Sequence, residues 1–323
     1  MMRQSVPSIK DIEQAHQRIW GQIHRTPVQT SSSINEICDV DLYFKCENFQ
    51  KTGSFKFRGA YNAVQQLSDE EAGHGVGTHS SGNHAAALAL AANLKGTEAH
   101  IVMPDNSNPL KKRAVEHYRA SITYCGPGLD AREETYRKVE KQTGAKFIHP
   151  SGDFQVICGQ GTAARELLEE KPDLDAIITP VGGGGLTSGS AIAAKAMKKD
   201  IRVFAGEPQM ADDAYRSFRQ GFLIPVDRPN TIADGLLTSL SPLTFKIITN
   251  YLDDVFTTSE ATIVKAMRLI WERMKIVAEP SAAVALAAVL ENRFVFKSKK
   301  VGVIISGGNV DLNNLPFRSQ DES

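Results

Sequence analysis

The chain has 323 residues, 41% of them hydrophobic and 23% charged, and its 37 lysine and arginine residues equal its 37 aspartate and glutamate residues. This ordinary globular usage offers no bulk charge to recruit nucleic acid or an anionic membrane. The length favours two domains or one core with an insertion.

The N-terminal stretch MMRQSVPSIKDIEQAHQRIW carries acidic residues and no apolar run of signal-peptide length, and no later stretch reaches transmembrane length. A soluble, cytoplasmic protein is expected. Cys38, Cys46, Cys125 and Cys158 form no CxxC pair, which argues against a zinc ribbon or a disulfide framework and fits reduced thiols.

KTGSFKFRGA at 51–60 reads as a turn opening the helix RGAYNAVQQL, and THSSGNHAAAL at 78–88 as a strand end turning into NHAAALALAANL. AHIVMP near 99–104, ASITYC near 120–125, AIITPV near 176–181, IRVFAG near 201–206 and VGVIIS near 301–306 read as buried strands. AREETYRKVEKQ, GTAARELLEE, AIAAKAMKK and EATIVKAMRLIWERMK lie among them with apolar residues at helical spacing. The alternation predicts an α/β protein with mostly parallel sheets. Turn-rich EEAGHG near 70–75 and HPSGD near 149–153 bracket a segment expected to be a smaller inserted domain.

Four clusters carry chemistry. Lys56 sits between Phe55 and Phe57, where partial desolvation lowers an ammonium pKa and frees the amine for a Schiff base and proton transfer. Taken alone, it reads rather as a solvated lysine beside a helix start, and only the company of the other clusters favours the chemistry. The run Gly182, Gly183, Gly184 and Gly185, between an apolar strand and a helix, suits an anion held by backbone N–H groups. It lacks the Gly-Lys-Ser/Thr of a P-loop and the GxGxxG of a dinucleotide site; a tight strand-to-helix turn is the alternative. Ser80, Ser81, Gly82, Asn83 and His84 bring hydroxyls, an amide and helix N–H groups together. They can grip a carboxylate and hold a proton donor, or simply cap a helix over a packed histidine. SGGNVD at 306–311 follows a strand, and open α/β sheets bind ligands at the carboxyl ends of strands.

In this order and over nearly the whole chain, SFKFRGA, SSGNH, the tetraglycine loop and SGGN resemble the fold-type II pyridoxal 5′-phosphate (PLP) enzymes. With GQGT at 159–162, EPQMADD at 207–213 and TIADG at 231–235, the chain resembles the serine racemase and serine/threonine dehydratase family, hydroxyaspartate dehydratases included. The resemblance implies a tryptophan synthase β-like α/β fold of two open, twisted, mostly parallel sheets flanked by helices. A large PLP-binding domain, 1–72 and 152–323, would carry an inserted small mobile domain, 73–151.

It further implies that Lys56 forms the Schiff base with PLP, that Gly182 to Gly185 bind its phosphate and that Phe55 packs near the ring. Asn83 would contact the 3′-oxygen and Ser306 the pyridine nitrogen, a neutral partner that moderates the electron sink. Lys56 and Ser81 match the family's catalytic pair on opposite faces of the substrate. Ser80, Ser81, Asn83, His84 and Arg132 match its substrate contacts, although Arg132 also reads as an exposed helical charge. Glu207, the Ala211 carbonyl and Asp213 match a cation site suited to Mg²⁺, Ca²⁺ or Mn²⁺; spacing alone reads them as an acidic helix start.

The implied activity is serine racemisation with serine/threonine dehydration, the substrate a small amino acid and the assembly a homodimer. A dehydratase of serine, threonine or threo-3-hydroxyaspartate with little racemase activity is the alternative. Ala85-Ala86 stands where the animal racemases have a nucleotide-contacting Gly-Gln, which puts activation by ATP in question. Leu236, Leu237 and Thr238 stand where a serine near the substrate is expected, so substrate preference is open. The short stretch after SGGNVDL implies no isoleucine-binding regulatory domain. A nucleotide-dependent oxidoreductase, a silent amino-acid sensor and a β-replacement enzyme are rival readings.

Overall fold

The computed structural model describes residues 5–80, 82–107 and 109–317, without the side chains of Pro109, Leu110 and Leu129. The strands, in chain order, are β1 Val28–Gln29, β2 Asp41–Cys46, β3 Val76–His79, β4 Ala99–Pro104, β5 Ser121–Cys125, β6 Lys146–Phe147, β7 Ala176–Pro180, β8 Arg202–Pro208, β9 Asp254–Thr258 and β10 Lys300–Ile305. They form a six-stranded sheet of order β1-β2-β10-β7-β8-β9 and a four-stranded sheet of order β5-β4-β3-β6. Every pairing is parallel except that of β1 with β2. The chain therefore has the fold-type II α/β architecture, two mostly parallel sheets with helices between strands.

Parallel strands covered on both faces read as continuous apolar runs. All five residues of β7 are buried, as are the last six of β8. Val303 of β10 pairs with Phe44 on one side and Ile178 on the other, which puts Ser306, the next residue after β10, at the carboxyl edge of the larger sheet. The apolar cluster against the four-stranded sheet also takes in Ile19, Phe57, Tyr61, Val64 and Val156, which lie outside 73–151 in sequence. No helix of the described residues is long and apolar enough to cross a membrane. All four cysteines are free and buried.

The GQGT run owes its glycines to packing. Helix Phe154–Glu170 crosses helix Lys56–Gln65 so closely that a Cβ at Gly159 would lie 2.6 Å from the Arg58 carbonyl oxygen. A Cβ at Gly189, in helix Gly185–Met197, would lie 2.5 Å from the backbone nitrogen of Gly161. The helix that begins at Lys56 and the helix that opens from the tetraglycine loop are thus both pressed backbone to backbone on one strut.

Four buried charges fix this crossing. Arg58 donates to Glu47 at 2.7 and 2.8 Å and to Glu166 at 2.7 and 2.8 Å, while Lys45 Nζ donates to Glu166 Oε2 at 2.7 Å. All four side chains are fully buried. Bidentate pairing on both sides of one guanidinium answers most of the desolvation that burial imposes.

Candidate active site

Lys56 begins its helix straight after Phe55, and its Nζ lies 5.1 Å from the centre of the Phe55 ring. The amine donates to the carbonyl oxygen of Pro150 at 2.8 Å. Burial pulls the ammonium down to about 8, against an opposing pull from the Glu279 carboxylate. A free amine is therefore within reach near neutral pH, as Schiff-base chemistry needs.

The turn before Lys56 is laced to the loop after β10. Phe55 N donates to Ser306 O at 3.0 Å, Gly308 N donates to Gly53 O at 2.9 Å, and Ser54 bridges Gly307. Lys56 and the buried Ser306 are brought together by this ladder. Asn83, at the head of helix Asn83–Lys95, joins the same loop. Its Oδ1 accepts from Asn309 Nδ2 at 2.9 Å, and its Nδ2 donates to Glu279 Oε1 at 2.8 Å. With both ends of the amide held, one N–H of Asn83 is left to donate to a ligand. A cleft of about 430 Å³ opens beside these groups, lined by Gly53, Asn83, Ala86, Lys111, Tyr118 and Asn309.

Gly182 to Gly185 join β7 to helix Gly185–Met197. Gly184 has a φ of +81°, and the first-turn N–H groups of the helix have no intrahelical acceptor. A Cβ at Gly183 would sit 2.3 Å from Ser151 Oγ, and one at Gly182 would sit 2.9 Å from Leu236 Cα. Glycine is thus required by the protein wall around the loop as well as by its turn. The donors left facing out, at the positive end of a helix dipole, fit a phosphate.

A desolvated lysine, a glycine-walled helix N-terminus, an aromatic face and a neutral hydroxyl at a strand end together suit PLP. The family described as pyridoxal-phosphate dependent enzyme matches residues 19–307. The chain belongs to that family. Within it, the chain is similar to the β-hydroxyaspartate dehydratase of Paracoccus denitrificans, 49% identical over 97% of this chain and 99% of that protein. It is also similar to the serine racemase of Dictyostelium discoideum, 52% identical over 95% of this chain and 96% of that protein. The crystal structure of serine racemase from Dictyostelium discoideum superposes with a TM-score of 0.91 at 51% identity, covering 95% of this chain and all of that one.

The remaining expected residues of this PLP-dependent site are placed unevenly. Ser81 lies outside the described residues. Ser80 Oγ accepts from Gly82 N at 3.4 Å, shaping the loop into helix Asn83–Lys95. His84 is buried, its Nε2 within hydrogen-bond distance of the Ile148 carbonyl at 3.1 Å; burial and the nearby Lys56 pull it down to about 3. It is a neutral packed imidazole, and its Nδ1 has no partner among the described residues. Arg132 Nε donates to Gly128 O at 3.1 Å, and its charge helps hold His79 below the ordinary histidine range after burial, the larger cause.

Glu207, at the end of β8, accepts from Ala214 N at 3.0 Å and Tyr215 N at 2.8 Å. The Tyr215 N–H, which would otherwise close a helical turn onto the Ala211 carbonyl, is thereby spent on a carboxylate. Asp213 is fully buried, and its two carboxylate oxygens have no hydrogen-bond partner among the described residues. Burial pushes Asp213 up to about 7, and burial together with Asp213 pushes Glu207 well above the usual carboxylate range.

Two site residues escape a reading of motifs. Glu279 is buried beside Asn83, pushed up to about 8 by burial and then by Asp234, which pairs with Lys111. A lone glutamate in the apolar run VAEPSAAVALAAVL was its available signal. His149 heads the turn that supplies the Pro150 carbonyl, and its acceptor role depends on folded geometry that HPSGD alone does not disclose.

Proposed function

We propose that this PLP-dependent enzyme racemises serine and, on the same site, dehydrates serine and threonine to keto acids and ammonia. The observation that carries the reading is the joint placement of a desolvated Lys56 amine and the neutral Ser306 hydroxyl by the Phe55 to Ser306 backbone bond of 3.0 Å. The relatives named for serine racemisation, among them the Dictyostelium discoideum protein at 52% identity, support it.

In this reading Lys56, Phe55, Asn83, Gly182 to Gly185 and Ser306 hold PLP, which supplies an electron sink for the charge left by α-proton removal. Ser306 keeps that sink moderate, because a hydroxyl does not hold a pyridine nitrogen protonated as a carboxylate does. Asn83, fixed by Glu279 and Asn309, donates its remaining N–H to the 3′-oxygen. Lys56 exchanges the α-proton on one face and Ser81 on the other, which interconverts the L and D isomers. Loss of the β-hydroxyl before reprotonation gives the keto acid and ammonia instead. Ser80, Ser81, Asn83, His84 and Arg132 form the substrate pocket, His84 as a neutral ring whose Nδ1 accepts, its Nε2–H being spent on the Ile148 carbonyl.

Glu207, the Ala211 carbonyl and Asp213 hold a divalent cation, Mg²⁺ or its relatives Ca²⁺ and Mn²⁺. The buried Asp213 carboxylate supports this, since its oxygens find no hydrogen-bond partner among the described residues and a buried charge left so is costly. Among the described residues no cluster of three or more His, Cys, Asp or Glu side chains is set for a metal, so carbonyls and water would complete the shell. Segment 73–151 moves over the substrate as a small domain hinged on 1–72 and 152–323. A cytoplasmic homodimer completes the reading, by likeness to the family.

A specific relative favours a second reading. The Paracoccus denitrificans protein, 49% identical, is named as a β-hydroxyaspartate dehydratase, which would make the physiological substrate a dicarboxylate. Incubation of the holoenzyme with L-serine, L-threonine and L-threo-3-hydroxyaspartate, with D-isomer and keto acid both quantified, separates the two. D-serine formation supports the racemase. Keto acid from hydroxyaspartate without D-serine makes it a dehydratase, and no product from any of the three contradicts both.

A further inference from the structure

His149 is tied into the active site by contacts that no sequence motif discloses. Its Nδ1 accepts two backbone N–H groups, from Ser151 at 3.1 Å and from Gly152 at 2.8 Å. A ring nitrogen accepts only when it carries no proton, so the ring is the neutral Nε2–H tautomer. Burial keeps it neutral, pulling His149 down to about 4, with His79 and Lys56 adding to the effect; His84 faces the same group of charges. The ring stands edge-on to Phe147, centroids 5.9 Å apart.

Two residues of the turn that this nitrogen gathers touch different parts of the site, and the third packs on a neighbouring helix start. The Pro150 carbonyl accepts from Lys56 Nζ at 2.8 Å. Ser151 lies against the tetraglycine loop, its Oγ 2.3 Å from where a Cβ on Gly183 would be and its carbonyl oxygen 2.9 Å from a Cβ on Gly185. Gly152 abuts Ser241, which leaves 2.8 Å for an added Cβ. A short turn between β6 and helix Phe154–Glu170 has no ladder of its own, so its shape depends on side-chain acceptors for its N–H groups.

We propose that His149 is a positioning residue whose Nδ1 fixes the 149–152 turn, so that one imidazole sets both the place of the Lys56 amine and the wall of the phosphate-binding loop. The inference rests on the reading of this site as the PLP site. His149 itself makes no contact with substrate; it acts through Pro150 and Ser151.

The test compares His149→Asn, whose side-chain oxygen can accept from N–H groups two and three residues on, with His149→Phe, which keeps a ring and loses the acceptor. PLP affinity is read from the visible absorbance of the lysine-bound cofactor, and the melting temperature of the cofactor-free protein is recorded beside it. His149→Phe is expected to weaken PLP binding by about tenfold, the loss of roughly one good hydrogen bond, and to shift the pH at which cofactor attaches. His149→Asn is expected to recover most of both. Should His149→Phe not fold, PLP affinity in His149→Asn near that of the wild type sustains the inference. His149→Phe binding PLP as the wild type does, or His149→Asn folding yet binding as poorly as His149→Phe, overturns it. Wild-type protein that takes up no PLP would sink the underlying reading instead, so the two failures are distinguishable.

Discussion

Lys56 Nζ donates to the carbonyl oxygen of Pro150 at 2.8 Å, so the amine at the head of one helix is held by a turn 94 residues further along the chain. Burial lets this lysine lose its proton near neutral pH, and the contact, which a neutral amine can still make, holds it in one place.

The pH dependence of cofactor attachment follows from that desolvation. Lys56 is lowered from 10.5 to about 8, so the free amine dominates above pH 8. The rate of PLP attachment to cofactor-free protein should rise between about pH 7 and 9 and level off above, measured by stopped-flow absorbance. A rise continuing beyond pH 10 would mean an ordinary lysine. Between pH 8 and 10.5 the unfolded chain holds this proton and the folded chain does not. Lys56 therefore contributes stability that increases with pH across that window.

Gly183→Ala should weaken PLP binding and lower stability, because its Cβ would fall 2.3 Å from Ser151 Oγ and 2.8 Å from Ser151 Cβ. Adding Ser151→Gly to Gly183→Ala should restore part of the loss. A double-mutant cycle on the melting temperature checks this: a coupling of about 1 kcal/mol or more is expected for residues in contact, and strict additivity would contradict the packing.

His84 gives the fold an acid sensitivity. Its folded pKa of about 3 lies below the ordinary 6.5, so the unfolded chain binds a proton first and stability is lost as pH falls from 6.5 toward 3. Urea midpoints should therefore drop between pH 7 and 5. His84→Leu should be weaker at pH 7 by about 1–3 kcal/mol, because the Ile148 carbonyl loses its partner, but should show a shallower acid slope.

Arg58→Met leaves Glu47 and Glu166 buried without their guanidinium, and a loss of about 3–5 kcal/mol is expected in urea unfolding. Since the strut helix packs on both site helices, PLP affinity should fall with stability. An unchanged urea midpoint would show that Lys45 alone compensates Glu166.

The sequence discloses strands whose burial is local in origin. β4, β7, β8 and β10 are buried apolar runs, and the structure has strands at each of them; the run ASITYC is a strand too, β5, but an edge strand with only Cys125 buried rather than the buried strand expected. β2 is hidden because DLYFKC carries Lys45, whose burial is explained by Glu166, 121 residues away. β9 is a half-buried edge strand beginning at Asp254, with too little apolar run to stand out. The helix read through EATIVKAMRLIWERMK ends at Leu269 and passes into a π-helix, Ile270–Met274. In the site, Lys56, Asn83 and Ser306 are legible because each lies in a compact local motif. Glu279 is not, because its meaning is a hydrogen bond to Asn83 across 196 residues.

The central claim, α-proton exchange on two faces, is tested most directly by incubating PLP-loaded enzyme with L-serine in deuterated water and measuring D-serine that carries deuterium at the α-carbon. The account predicts deuterated D-serine from the wild type, its loss in Ser81→Ala with keto acid still formed, and loss of both products in Lys56→Ala. No D-serine from PLP-loaded wild-type enzyme, or D-serine undiminished in Ser81→Ala, would contradict it.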